Sequence, residues 1–352
     1  MGRRPATRGT TTAPDEAVPD PAAPTGQGEE ATAGHQLERA ILGEDLVYNA
    51  LEVAAETGAT VEQARRLWRA LGFPDHGVDR AFTQADADAV STLLQLVDGG
   101  VIDFDMAVNL TRAVGQTMAR LADWEVATLV HRVQEVESGE DATGSRATAA
   151  LQMVGHLNRP FEELLVYVWR RHLAAAVGRI EALGANEEDL HTTQVTVGFA
   201  DIVSFTALTN RLDHDRIGDL VEIFESRCAD VVAGQRGRVI KSIGDAVLFV
   251  NEDPIRAYDT AEGIIAVVGR DPRMPDVRVG LSSGSVALRL GDVFGPPVNL
   301  AARLTAVARR NRVIVDRATA DLLPVDQFET RFLPARPVRG FGLVEPVAVR
   351  RH

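Results

Sequence analysis

The sequence holds one cysteine, Cys228, in 352 residues. An internal disulfide framework is therefore excluded, and the chain suits a reducing cytoplasm. It holds one lysine, Lys241, among 37 basic residues. A high-GC coding bias accounts for the arginines, and by itself the surviving lysine is only suggestive. There is no run of about 18 or more apolar residues, so no membrane span is expected. The longest candidate, around Leu164–Val177, is broken by Arg170, Arg171 and His172. The start, Met1-Gly2-Arg3-Arg4, is basic, but no apolar stretch follows, so it does not read as a secretory signal.

What is present is ordinary for a folded protein: 45% hydrophobic and 25% charged residues. That excludes disorder of the whole chain, and the length suggests roughly two domains. The net charge of −13 is uneven. Residues 35–190 carry 13 Arg against 25 Asp and Glu, while residues 191–352 carry 21 Arg and Lys against 20. An acidic first half argues against nucleic acid as a partner. The near-neutral second half more easily accepts an anionic substrate.

Residues 1–34 are rich in Ala, Pro, Thr and Gly and read as a disordered tail. Residues 35–190 read as helical. The clearest stripe is Phe161, Leu164, Leu165, Val168, Trp169, Leu173, Val177 and Ile180, with Pro160 in the first turn and Gly184 at the stop. Such a helix would connect the two halves. Thr60–Ala64 and Leu67–Phe73 read as two short helices around a turn, either a helix-turn-helix DNA reader or, favoured by the acidic surroundings, a helical pair in a regulatory bundle. Ser138–Ser145 reads as an exposed loop.

From about residue 191 strands and helices interleave, giving an α+β class. Val195, Val197 and Phe199 alternate as a strand, and a helix is expected over His214–Ala233. Arg238–Ile243 and Ala246–Val250 form a hairpin about Gly244-Asp245, and a helix follows at Pro254–Gly269. Val277–Ser282 and Val286–Leu290 read as another hairpin, Val298–Ala308 as a helix and Val313–Val315 as a strand.

Two carboxylates stand out by position: Asp201 at the end of the first strand and Asp245 at a hairpin tip. Such a pair can hold hard divalent cations together with substrate phosphates. Each also has a plain reading, as a helix cap and as a turn residue. Asn299 and Arg303 are four apart and share a helix face, where they can address a sugar and a phosphate; taken alone, a surface pair is the stronger reading.

Taken together, Phe199-Ala-Asp-Ile-Val-Ser-Phe-Thr206, Lys241-Ser-Ile-Gly-Asp-Ala246 and the run Asp292-Val-Phe-Gly-Pro-Pro-Val-Asn-Leu-Ala-Ala-Arg303 resemble the catalytic domain of the class III adenylyl/guanylyl cyclases. The resemblance covers residues 194–350. It implies a ferredoxin-like βαββαβ core in residues 191–352, preceded by an all-α regulatory domain. It implies two divalent cations, Mg²⁺ or Mn²⁺, on Asp201 and Asp245. Lys241 and Asp292 resemble the pair that reads adenine, one donating to a ring nitrogen and the other accepting from the exocyclic amine, so ATP is the implied substrate. Asn299 and Arg303 look like the ribose-orienting and transition-state residues. Val338-Arg339-Gly340-Phe341-Gly342 resembles the segment that gives the β- and γ-phosphates a basic residue, usually Lys and here Arg339. The full set occurs once, and in this family the site lies between two domains, which implies a symmetric homodimer. Only Ser285–Gly291 separate Gly284 from Asp292, so the segment described as a dimer arm is short here.

The first half resembles, more weakly and mainly through Trp68–Phe73, the regulatory region of soluble bacterial members. The implied role is control of the catalytic dimer, often inhibitory. His76, His131, His156 and His172 could make it respond to mild acid, although ordinary surface or core histidines are the better-supported reading. A small effector is the other candidate signal. The rival readings are a guanylyl cyclase, against which Lys241 and Asp292 argue, and a non-catalytic signalling or DNA-binding protein on a degenerate cyclase fold, against which the complete residue set argues.

Overall fold

A computed structural model describes residues 26–140, 142–182, 192–289 and 291–352. The chain divides into two compact units, Met1–His172 and Leu173–His352.

The described part of the first unit is helical: α1 (Gly26–Leu42), α2 (Ala50–Thr57), α3 (Val61–Leu71), α4 (Gln84–Asp98), α5 (Phe104–Glu137) and α6 (Arg146–Ala182), the last running past the division. The short helices are closed by local chemistry. Asn49 and Glu52, Thr60 and Gln63, and Thr83 and Asp86 form reciprocal capping boxes that satisfy the first free N–H groups. Gly58 and Gly72 end α2 and α3 in the left-handed conformation that glycine adopts without strain. Trp68 stacks on Phe82 with ring centroids 4.1 Å apart, inside a core that includes Val53, Leu67, Val90 and Val108.

Three expectations are corrected here. Thr60–Phe73 is not two helices around a turn: α3 is continuous, because Thr60 caps it and nothing between Ala64 and Leu67 breaks it. Ala64, Leu67, Trp68 and Ala70 turn into the core, and Glu62, Arg66 and Arg69 stay exposed. Pro160 lies inside α6, not in its first turn. Residues 146–159 are already good helix formers, so the helix is established before the proline and accepts the loss of one backbone bond, roughly 3 kcal/mol. Finally α1 begins at Gly26, so residues 26–34 of the expected tail are helical. Residues 1–25 and Gly184 lie outside the described residues. The loop between α5 and α6 falls where it was expected.

The second unit runs β1 (Thr192–Ile202), α7 (Phe205–Thr209), α8 (His214–Gly234), β2 (Arg238–Ile243), β3 (Ala246–Asn251), α9 (Pro254–Gly269), β4 (Val277–Arg289), β5 (Asp292–Phe294), α10 (Pro296–Val307), β6 (Val313–Val315), α11 (Arg317–Asp321), β7 (Phe328–Phe332), β8 (Arg336–Val338), β9 (Gly342–Val344) and β10 (Val347–Arg351). The main sheet has the order β2-β3-β1-β4-β6-β10-β7, with β5 on β4, and β8–β9 form a separate hairpin. The stretch β1-α8-β2-β3-α9-β4 in the order 2-3-1-4 is the ferredoxin-like βαββαβ arrangement, with β1 antiparallel to both β3 and β4.

One face of the sheet packs on α8 and α9 through Ile202, Phe224, Val247, Phe249, Ile264 and Leu281. The other face gathers Val197, Phe199, Leu248, Val293 and Ala301 under α10, which covers β1, β4 and β6. The helix comes close there because Gly280 has no side chain: a Cβ would lie 2.4 Å from the Thr305 nitrogen.

The hairpin expected around Ser283–Ser285 does not exist. β4 runs unbroken from Val277 to Arg289 and pairs with β1 from Val277 to Ala287, Gly284 opposite Val195 included. Gly284 makes room for the start of α10, since a Cβ would meet the Pro297 ring at 2.9 Å. The real hairpin joins β4 to β5, with Arg289 opposite Asp292.

Candidate active site

β1 alternates strictly, so Val195, Val197, Phe199 and Asp201 share the face under α10 while Ala200 and Ile202 face α8 and α9. Asp201 therefore ends a buried apolar row and is itself only 15% exposed. Its strand partner is Ala246, and Ile202 N donates to Asp245 O at 3.1 Å. Gly244, with φ of 62°, makes the tight turn that sets Asp245 beside the end of β1. The two aspartates thus sit side by side at one sheet edge.

Burial raises the Asp201 carboxyl above its ordinary value; Arg278 works against that and the Asp245 charge adds to it. Arg278 stands opposite Asp201 in β4 and grips Asp201 Oδ2 through Nε at 2.7 Å and Nη2 at 2.6 Å. Its Nη1 donates to Ala306 O at 3.1 Å, at the end of α10. Our reading of the sequence overlooked Arg278. A lone cation between Val277 and Val279 was the available signal, but the partner it faces is set by strand register.

Lys241 reaches the same face through an irregularity. The β2–β3 register shifts between Val239 and Lys241, so Lys241 stands opposite Leu248 and not opposite an α8-facing residue. Cross-strand partners share a face, so this bulge at Ile240 turns Lys241 toward β5. There its Nζ donates to Asp292 Oδ2 in a short ion pair. Asp292 Oδ1 accepts from Val293 N at 2.8 Å, which fixes the carboxylate plane.

Asn299 and Arg303 lie on α10 and are both exposed, on the side away from buried Pro297, Ala301, Leu304 and Thr305. Gly295, Pro296 and Pro297 start that helix. Arg339 is exposed in the turn of the β8–β9 hairpin, closed by Phe341 N to Val338 O at 2.9 Å. The structure thus brings together Asp201 with Asp245, and Lys241 with Asp292; Asn299 and Arg303 face outward from their own chain. Ile243 and Phe294, large and apolar, are also exposed, at 50% and 52%.

Among the described residues no three His, Cys, Asp or Glu side chains converge. The donor set at Asp201 and Asp245 is two hard carboxylates, which fits Mg²⁺ or Mn²⁺ completed by phosphate oxygens and does not fit a closed all-protein cage. Among the described residues no helix is long and apolar enough to cross a membrane.

Both parts of the chain are similar to known proteins. Residues 188–348 match the adenylate and guanylate cyclase catalytic domain, and residues 31–173 match the adenylate cyclase regulatory domain. An adenylate cyclase of Streptomyces coelicolor is 38% identical over 95% of this chain and 93% of its own. One from Streptomyces griseus is 36% identical over 90% of this chain and 88% of its own. A Mycobacterium tuberculosis protein described as a pH-sensitive adenylate cyclase is 30% identical over 89% and 81%. The chain belongs to the class III adenylate cyclases, with a regulatory domain ahead of the catalytic one.

Proposed function

We propose that this enzyme converts ATP to 3′,5′-cyclic AMP and pyrophosphate at a site shared by two copies of the chain. The observation that carries the reading is the placement of Asp201, Lys241 and Asp292 on one face of the sheet, with Asp245 at its edge. Asn299 and Arg303 face outward, which suits residues that complete the site of a second copy.

Asp201 and Asp245 would hold two divalent cations, Mg²⁺ or Mn²⁺. When bound, these supply charge that favours the ionised ribose 3′-oxygen and offsets the triphosphate. Lys241 donates to an adenine ring nitrogen and Asp292 accepts from the amino group. Guanine presents the opposite pattern, and a mispaired buried donor is what rejects it. Asn299 orients the ribose so that the 3′-oxygen attacks the α-phosphorus in line while the bond to pyrophosphate breaks. Arg303 donates to the oxygens on which charge grows, a contact whose loss typically costs about 10²- to 10³-fold in rate. Arg339 meets the β- and γ-phosphates.

Regulation belongs to the same reading. The N-terminal unit restrains the catalytic dimer, in the cytoplasm, and mild acid or a small effector changes that restraint. The M. tuberculosis relative is described as pH-sensitive. His131 lies 3.3 Å from Glu135, which also pairs with Arg132 at 2.9 Å.

Cyclic nucleotide production from Mn²⁺-ATP and Mn²⁺-GTP, at several pH values, tests the proposal. Cyclic AMP from ATP, abolished by EDTA and restored by Mn²⁺, is expected. Preference for GTP overturns the base assignment. A flat pH dependence of the ratio between full-length and catalytic-unit activity overturns the acid response.

A further inference from the structure

Both oxygens of the Asp292 carboxylate have a donor. Oδ2 takes Lys241 Nζ in the short ion pair, and Oδ1 takes Val293 N at 2.8 Å. Reading adenine changes what Lys241 must do. Its ammonium turns to the ring nitrogen, while Asp292 accepts from the amino group beside it. The cation that held Oδ2 is then shared with the base, and the donor that joins it there, an amine, is neutral. The Val293 amide is neutral too. A half-buried carboxylate keeps its place best against a charged donor that has no second duty at the base.

Arg289 stands where such a donor is needed. In β4 it is directly opposite Asp292 in β5, in the pair that closes the hairpin. Gly291, with φ of 78°, takes the left-handed conformation that such a tight turn requires. Cross-strand partners project to the same side with Cβ atoms about 5 Å apart, and opposite charges so placed attract. The hairpin has three pairs: Ala287 with Phe294, Leu288 with Val293, and Arg289 with Asp292. The last alone carries charge. The Arg289 side chain is exposed, and its guanidinium has no hydrogen bond or ion pair among the described residues. Lys241, by contrast, comes from a different strand, β2, and meets Asp292 only because of the bulge at Ile240.

We infer that Arg289 is the positioning residue of the base-reading pair: it holds the Asp292 carboxylate in place while Lys241 turns to the adenine ring nitrogen. The inference rests on the adenine reading of Lys241 and Asp292 proposed above. Arg289 touches the carboxylate and not the base, so whatever it contributes passes through Asp292.

The test is steady-state kinetics of the full-length protein with Mn²⁺-ATP and Mn²⁺-GTP. Arg289→Ala lowers kcat/KM for ATP about 3- to 10-fold, mainly through KM, and narrows the preference over GTP. Arg289→Lys keeps the charge and recovers part of the loss. In an Asp292→Ala background Arg289→Ala costs nothing further, because the carboxylate that it holds is gone. The inference is overturned if Arg289→Ala changes nothing, if it costs the same with both nucleotides, if lysine restores none of the loss, or if the loss persists in full without Asp292. A preference for ATP that widens also overturns it, since Arg289 would then be donating to the guanine oxygen. Lys241→Ala, measured in parallel, keeps the two readings apart. If it narrows the preference and Arg289→Ala does not, the role of Arg289 alone is lost. If Lys241→Ala costs the same with both nucleotides, the base assignment itself fails and takes this inference with it.

Discussion

Asp201 and Arg278 face each other across β1 and β4, and the guanidinium holds one carboxylate oxygen through two nitrogens, at 2.6 and 2.7 Å. The same guanidinium reaches Ala306 O in the last turn of α10. One side chain therefore ties a candidate metal ligand to the helix that carries Asn299 and Arg303. Arg278→Leu leaves Asp201 partly buried without its charged partner. We expect a loss of about 1–3 kcal/mol in denaturant-measured stability, and lower cyclase activity. Unchanged stability would mean that the pair contributes nothing to the fold.

Lys241 and Asp292 satisfy each other, so each should matter to the base and little to the fold. Lys241→Ala and Asp292→Ala are expected to lower kcat/KM for ATP about 10- to 100-fold and to narrow the preference over GTP. Steady-state rates with both nucleotides check this. Equal losses with both would assign the pair to structure.

Asp271 closes the turn after α9. It accepts from Arg273 Nε, Nη2 and backbone N, at 3.0, 2.9 and 3.0 Å, and from Arg227 Nη2 at 2.8 Å. Chiefly the Arg273 side chain, then Arg227, holds its carboxyl well below the usual carboxylate range. The ionised form is favoured by folding, so its contribution is present above the unfolded value, about pH 4, and fades as pH falls below it. Asp271→Asn should flatten the acid limb of stability against pH.

Cys228 is fully buried in α8, and burial pushes its thiol up to about 12. It should resist thiol reagents at neutral pH and react fully on denaturation. Rapid labelling of the native protein would place it at the surface.

How much of this was legible in the sequence depended on whether the cause was local. The strand and helix spans around Asp201, Gly244-Asp245 and Pro254 carried their own alternation and turn chemistry, and the structure has them nearly as expected. Ser283-Gly284-Ser285 looked like a turn because a glycine between serines usually is one. Here the glycine answers to Pro297, ten and more residues on, and the pairing with β1 keeps the strand straight. The candidate site divides in the same way. Position singled out Asp201 and Asp245, and the family resemblance added Lys241 and Asp292, whereas the bulge at Ile240 that turns Lys241 to Asp292, and the register that gives Asp201 its arginine, are long-range facts. Pro160 shows the reverse case: a strong local signal overridden by the helix formers ahead of it.

The central claim is a site assembled from two copies, with Asp201 supplied by one and Arg303 by the other. Its most direct test mixes Asp201→Ala protein with Arg303→Ala protein under conditions of verified subunit exchange and measures cyclic AMP from Mn²⁺-ATP. Each variant alone should be inactive. The account predicts that the mixture regains activity, since half of the dimers at equal mixing carry one intact site. A mixture as inactive as its parts, with exchange confirmed, would contradict it.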